Sequence, residues 1–164
     1  MRTVLALLSL ALVTACSPST STNTAKAAAE SPEPSPPPAL TAAQKTKLLA
    51  GLPPAYRTAD LDNGQDRFAI CKTCHTTAKG AGDMTGPNLW GVFGRKAGTE
   101  PGYAYSDGMK SLGVTWDANS IDRWISNPKA MNPATKMTYI GMQNPKDRID
   151  LIAYLKTITS PPPA

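Results

Sequence analysis

The run Cys71-Lys72-Thr73-Cys74-His75 places two thiols and an imidazole within one short turn of chain. C-x-x-C-H is the spacing of a c-type haem attachment site. Two cysteines three apart on a helical turn present their sulfurs on one side, where they can add to the two vinyl groups of one haem as thioethers. The histidine that follows is then held beneath the iron as its proximal ligand. A structural zinc site needs four ligands, and only Cys71, Cys74 and His75 are local, with Cys16 far away. A redox dithiol needs a strand-turn-helix setting, and no strand pattern precedes the motif. A plain disulfide across the same spacing leaves the histidine unexplained. The chain has 3 Cys and 1 His in all, which excludes a disulfide scaffold and any site built on two histidines.

A single His leaves Met, Lys or an open position for the other axial site of the iron. Met84 lies nine residues past His75, too near for the distal side. Met109, Met131, Met137 and Met142 remain, and a Met is more often a core filler than a ligand. Spacing alone does not choose among them.

The elements that must hold these residues read as helices. Asp62 with Gln65 three residues on resembles a capping box, opening a helix that runs to about Cys74. A second helix is expected around Asp117 to Ser126, with Ile121, Trp124 and Ile125 on one face. For the third, Asn144 is the cap and Pro145 suits the first position. Leu151, Ile152, Leu155 and Ile158 make its apolar stripe, and Pro161 marks its limit. Thr76 to Val114 is Gly-rich and aperiodic, the kind of long loop that is functional or wraps around something.

The chain of 164 residues divides by composition. Residues 1–15 read as a signal peptide: Arg2, then about 12 apolar residues, too few to span a bilayer. Val13-Thr14-Ala15-Cys16 resembles the lipobox of bacterial lipoprotein precursors, which makes Cys16 the lipid anchor; an ordinary signal cut after Ala15 satisfies the same small residues. Residues 16–56 read as a lipidated Cys followed by a disordered tether rich in Ala, Ser and Pro. Within it, Ala42 to Leu52 has the makings of a short helix before Pro53-Pro54. All ten aromatics lie at Tyr56 or later, which sets the folded domain at 57–160 and leaves 161–164 as a tail. The formal net charge is +5, but no Lys/Arg block is dense enough for a nucleic-acid arm.

From Gly64 to Leu155 the chain resembles the class I cytochromes c, close to the mitochondrial and related bacterial carriers. The resemblance rests on CKTCH, TGPNLWGVFGRKAG, PGYAYSD, GVTW, NPKAMNPATKM and DRIDLIAYLK, in family order and near family spacing. It implies an all-α fold, with N- and C-terminal helices crossing around one covalently bound haem c. It implies Cys71 and Cys74 as thioether positions, and His75 and Met137 as iron ligands. Pro87 would offer its carbonyl to the other nitrogen of His75, Arg95, Tyr105 and Trp116 would meet the haem propionates, and Thr135 belongs to the same contact set. Gly64 and Phe68 would pack on Leu151 and Tyr154. The chain departs from the family pattern at Ala134 (usually Gly), Trp124 (usually Tyr), Tyr139 (usually Phe) and Met109 (often Asn).

The function so implied is one-electron transfer, not catalysis, between respiratory or photosynthetic redox complexes. The carrier would be a monomer, lipid-anchored at Cys16 on the periplasmic side of a bacterial membrane. Lys72, Lys129 and Lys136 would ring the haem edge and meet acidic partner surfaces, with no nucleic acid involved. The alternative is a haem-based gas sensor or small peroxidase with a labile sixth ligand; a tethered subunit of a larger complex is a third reading.

Overall fold

The structure, a computed structural model, describes residues 39–163. The expected signal segment, Cys16 and the expected tether up to residue 38 lie outside the described residues. Among the described residues the secondary structure is helical: α1 (Ala42–Ala50), α2 (Pro54–Arg57), α3 (Leu61–Phe68), a 3₁₀ turn (Cys71–Thr73), α4 (Asp107–Lys110), α5 (Ala118–Ser126), α6 (Pro128–Met131) and α7 (Pro145–Thr159). The one β-type pairing among the described residues is an isolated antiparallel bridge, Lys96 to Thr115.

α7 is the spine. Asn144 caps it by accepting from the Lys146 N–H, and Pro145 fills its first position. Leu151, Ile152 and Leu155 are buried, and α1, α2, α3 and α5 all pack on this one helix. α5 starts at a reciprocal capping box: the Asp117 carboxylate accepts from the Ser120 N–H, and the Ser120 hydroxyl accepts from the Asp117 N–H.

α3 crosses α7 at Gly64. A Cβ built there would lie 2.2 Å from the Asp150 carbonyl oxygen and 2.7 Å from the Tyr154 Cβ, so only glycine permits the approach. The expected partner Tyr154 is met there, with Asp150 beside it, and Phe68 and Leu151 share the same buried core cluster. Phe68 stands one turn on, its ring 5.9 Å from that of Tyr154. The buried Asp150 carboxylate ties the crossing, accepting from the Asp60 N–H at 3.0 Å, the Asn63 amide at 2.7 Å and the Lys146 ammonium at 2.6 Å.

Three sequence expectations are corrected here. The cap of α3 is Asp60, not Asp62, because the Asp60 carboxylate takes both the Asp62 and the Asn63 N–H. The helix ends at Phe68, not Cys74; the cysteine motif folds as a separate 3₁₀ turn. The packed part begins near Thr41, not at 57. Thr41 forms a capping box with Gln44, and Leu49, Leu52 and Tyr56 are buried. Part of the stretch expected to be tether is therefore packed helix.

Candidate cofactor site

The 3₁₀ turn explains the cysteine spacing better than an α-helix does. With three residues per turn, side chains at i and i+3 eclipse, so Cys71 and Cys74 share one side. The Cys74 and His75 N–H groups both donate to the Cys71 carbonyl, at 3.1 and 3.0 Å. Both thiols are free. Burial pushes the Cys71 thiol up to about 11, so it is protonated at neutral pH.

His75 follows the turn and is fixed from outside the motif. Its Nδ1 lies 2.7 Å from the Pro87 carbonyl oxygen. A carbonyl only accepts, so Nδ1 carries the proton and the Nε2 lone pair is left for a metal. Burial, with the nearby Arg95 charge, holds the ring below the usual histidine range, while the Pro87 bond opposes the shift. The imidazole is therefore neutral, the form that ligates. Gly86 makes room for it: a Cβ at this position would lie 2.4 Å from the ring Cε1.

The long loop is organised by a residue that sequence reasoning assigned no role. The Asn88 amide donates to the Thr76 hydroxyl and the Ala78 and Ala81 carbonyls, and its oxygen accepts from the Trp90 N–H. The Asn88 N–H donates in turn to Asp83. The only signal for it in the sequence is its place after Gly-Pro in a turn-forming run. Tyr103 closes the same region, its hydroxyl donating to the Thr85 carbonyl at 2.6 Å.

Across the site, the segment after α6 is held by Asn132, also without an assigned role. Its side-chain oxygen accepts from the Ala134 N–H, and its amide faces the Met109 sulfur at 3.9 Å. The Thr135 hydroxyl accepts from the Met137 N–H at 3.1 Å, a local turn that sets where Met137 leaves the chain. Lys136 anchors this loop to the Ala104 carbonyl. Beyond it, the Met142 N–H donates to the Ile125 carbonyl, and Arg148 bonds the Met142 and Gln143 carbonyls together with Asp122.

All nine residues expected at the cofactor line one cavity of about 540 Å³: Cys71, Cys74, His75, Pro87, Arg95, Tyr105, Trp116, Thr135 and Met137. Leu151 and Leu155 of α7, with Trp124 of α5, close its floor. Trp116 and Trp124 meet edge to face at 5.6 Å. Of the methionines, Met109 and Met137 reach the cavity, whereas Met84, Met131 and Met142 do not. Cys16 lies outside the described residues. An apolar chamber of this size with a neutral imidazole, two thiols on one turn and a thioether fits one haem bound by thioether links.

The comparisons agree with this geometry. The family description "Cytochrome c" matches residues 61–159. The cytochrome c2 of Rhodomicrobium vannielii is 46% identical over 103 residues, covering 63% of this chain and 82% of its own. The cytochrome c of Sesamum indicum is 46% identical over 102 residues, covering 62% and 92%. Among solved structures, cytochrome cH from Methylobacterium extorquens is 44% identical and superposes with a TM-score of 0.57 over 60% of this chain and 99% of that one. A helical fold built on an α3–α7 crossing, a C-x-x-C-H turn facing the cavity and these relatives lead to one statement: the chain belongs to the cytochrome c family, an all-α electron carrier with one covalent haem c rather than an enzyme.

Proposed function

We propose that this chain is a periplasmic electron carrier tethered to a bacterial membrane through Cys16, with a haem whose iron His75 and Met137 would ligate. The haem, when bound, supplies a single iron that gains and loses one electron. The chain's own residues do the rest. Cys71 and Cys74 would hold the cofactor covalently. His75 is oriented by the Pro87 carbonyl, which fixes both its ring plane and its tautomer. Met137 contributes a neutral sulfur, and a neutral thioether with a neutral imidazole favours a positive reduction potential. Ile121, Leu151, Leu155 and the paired indoles line the chamber with apolar surface.

The observation that carries the reading is the placement of His75 and Met137 in one cavity from two separate segments. Two protein ligands would leave the iron no position for substrate. Met109 also reaches the cavity, but its sulfur already faces the Asn132 amide. Lys72, Lys129 and Lys136 are exposed on the segments that hold the two ligands, which supports docking to acidic surfaces of redox partners. We read the carrier as a monomer. The experiment is an optical spectrum of oxidised and reduced protein: a Met–iron charge-transfer band at the red end of the ferric spectrum is expected, and a high-spin ferric spectrum would overturn the assignment.

A further inference from the structure

Arg95 lines the cavity, and resemblance makes it a partner of the haem propionates. In the structure its guanidinium is already engaged. Nη2 donates to the Asn88 carbonyl at 2.8 Å and Nη1 to the Trp90 carbonyl at 3.3 Å. Nη1 also pairs with the carboxylate of Glu100. The side chains of the pair are only 14% and 18% exposed, so solvent and salt screen it little. Glu100 does not itself reach the cavity; Arg95 stands between.

The chain holds Glu100 there by a turn. Glu100-Pro101-Gly102-Tyr103 closes with the Tyr103 N–H on the Glu100 carbonyl at 3.4 Å, and Gly102 has φ +83°. Proline second and a left-handed glycine third make a type II turn. The same turn delivers Tyr103, whose hydroxyl ties it to Thr85. Asp83 adds a second carboxylate within electrostatic reach of Arg95. Lys136 also lines the cavity, its ammonium on the Ala104 carbonyl, whereas the Arg95 guanidinium is paired with a carboxylate that stays outside the lining.

We propose that Glu100 is a tuning residue for electron transfer: it cancels the Arg95 charge as felt at the haem and so lowers the reduction potential. The inference rests on the reading that Arg95 faces the cofactor. Reduction adds one electron at the iron and removes one positive charge there. A fixed cation beside the cavity favours the reduced form, and pairing that cation with a carboxylate removes the preference. Glu100 acts through Arg95 and is a positioning residue, not a ligand.

The test is potentiometric titration of the full-length holoprotein, followed optically, for wild type, Glu100→Gln, Glu100→Asp and Arg95→Gln, with thermal melts of each. Glu100→Gln keeps the shape and an acceptor but loses the charge. It is expected to shift the ferric–ferrous ratio at fixed potential roughly tenfold toward ferrous, about 59 mV for one electron. Glu100→Asp is expected to stay nearer wild type. Asp107→Asn, whose carboxylate is fully exposed, is the control for a charge screened by solvent and is expected to move the potential little. Arg95→Gln is expected to lower the potential, because Glu100 is then uncancelled. If Arg95→Gln lowers the potential and Glu100→Gln fails to raise it, the tuning role falls while the placement of Arg95 stands. A lowered melting temperature in Glu100→Gln at unchanged potential also overturns it, leaving a purely structural pair. If neither variant moves the potential, the placement of Arg95 against the cofactor falls as well.

Discussion

At His75 a single main-chain oxygen decides which ring nitrogen is available. Because the acceptor is the Pro87 carbonyl, replacing Pro87 does not delete it, and the sharper probe is Gly86→Ala. The added methyl would stand 2.4 Å from the ring and must push the imidazole off its acceptor. A cost of about 1–3 kcal/mol, typical of overpacking, is expected in thermal melts, with a weakened low-spin spectrum. On the distal side, Met137→Ala is expected to abolish the red charge-transfer band, lower the potential and admit carbon monoxide. Met109→Leu, which removes a sulfur that faces the Asn132 amide, is expected to keep the band. Retention of the band in the first variant and its loss in the second would reverse the assignment. The C-x-x-C-H group was legible in the sequence because covalent attachment imposes a spacing, whereas Met137 was singled out among the methionines only by the family resemblance. Asn88 was not legible, since its partners Thr76, Ala78, Ala81 and Trp90 come together only once the loop is folded. Nor was the Glu100 pairing, which depends on a turn bringing two charges five residues apart into contact.

Where α3 crosses α7, one glycine and one carboxylate do what larger apolar surfaces do elsewhere. Gly64→Ala is expected to separate the helices and to cost more than the roughly 1 kcal/mol of an average substitution, read as a lowered melting temperature with cofactor still attached. Asp150 gives the crossing a pH dependence. Burial pushes its carboxyl up, but the Lys146 ammonium, the Asn63 amide and the Asp60 N–H outweigh that and hold it below the usual carboxylate range. A depressed folded-state value contributes stability above the unfolded value of about 3.9 and loses it as pH falls through the folded value. The stability gap between wild type and Asp150→Asn, measured by thermal melts, is thus expected to be constant near neutrality and to shrink below about pH 4. The α5 and α7 helices were legible from their caps and apolar stripes. The packed state of α1 and α2 was not: Leu49, Leu52 and Tyr56 are buried by α7, at the other end of the chain, and the lack of aromatics before Tyr56 hid them. The α3 cap was misplaced because Asp60 and Asp62 are equal in type, and only the geometry of the Asp60 carboxylate separates them.

For the molecule as a carrier, membrane attachment and docking separate cleanly in experiment. Cys16→Ala is expected to release the protein from membranes with its haem spectrum unchanged; a wild-type protein already free of membranes would remove the anchor. Reversing Lys72 and Lys129 to Glu is expected to slow reduction or oxidation by acidic partners severalfold at low ionic strength and to flatten the salt dependence. Lys136 is a poorer probe, because it also fastens the Met137 loop to Ala104.

The α1–α2 pair lies on α7 and lines no part of the cavity. A pull applied to the chain ahead of Thr41 therefore does not load the cysteine turn directly. It is expected to peel α1 first, then α2, with tension reaching Asp60 and the crossing behind it only after Leu49, Leu52 and Tyr56 have left their buried positions, so that the segment would act as a strain relief, as a clamp does on a cable. In single-molecule force spectroscopy of the full chain pulled from its N-terminal side, a small first extension from residues 41–57 is expected before the main rupture, with the haem environment unaltered until the second event.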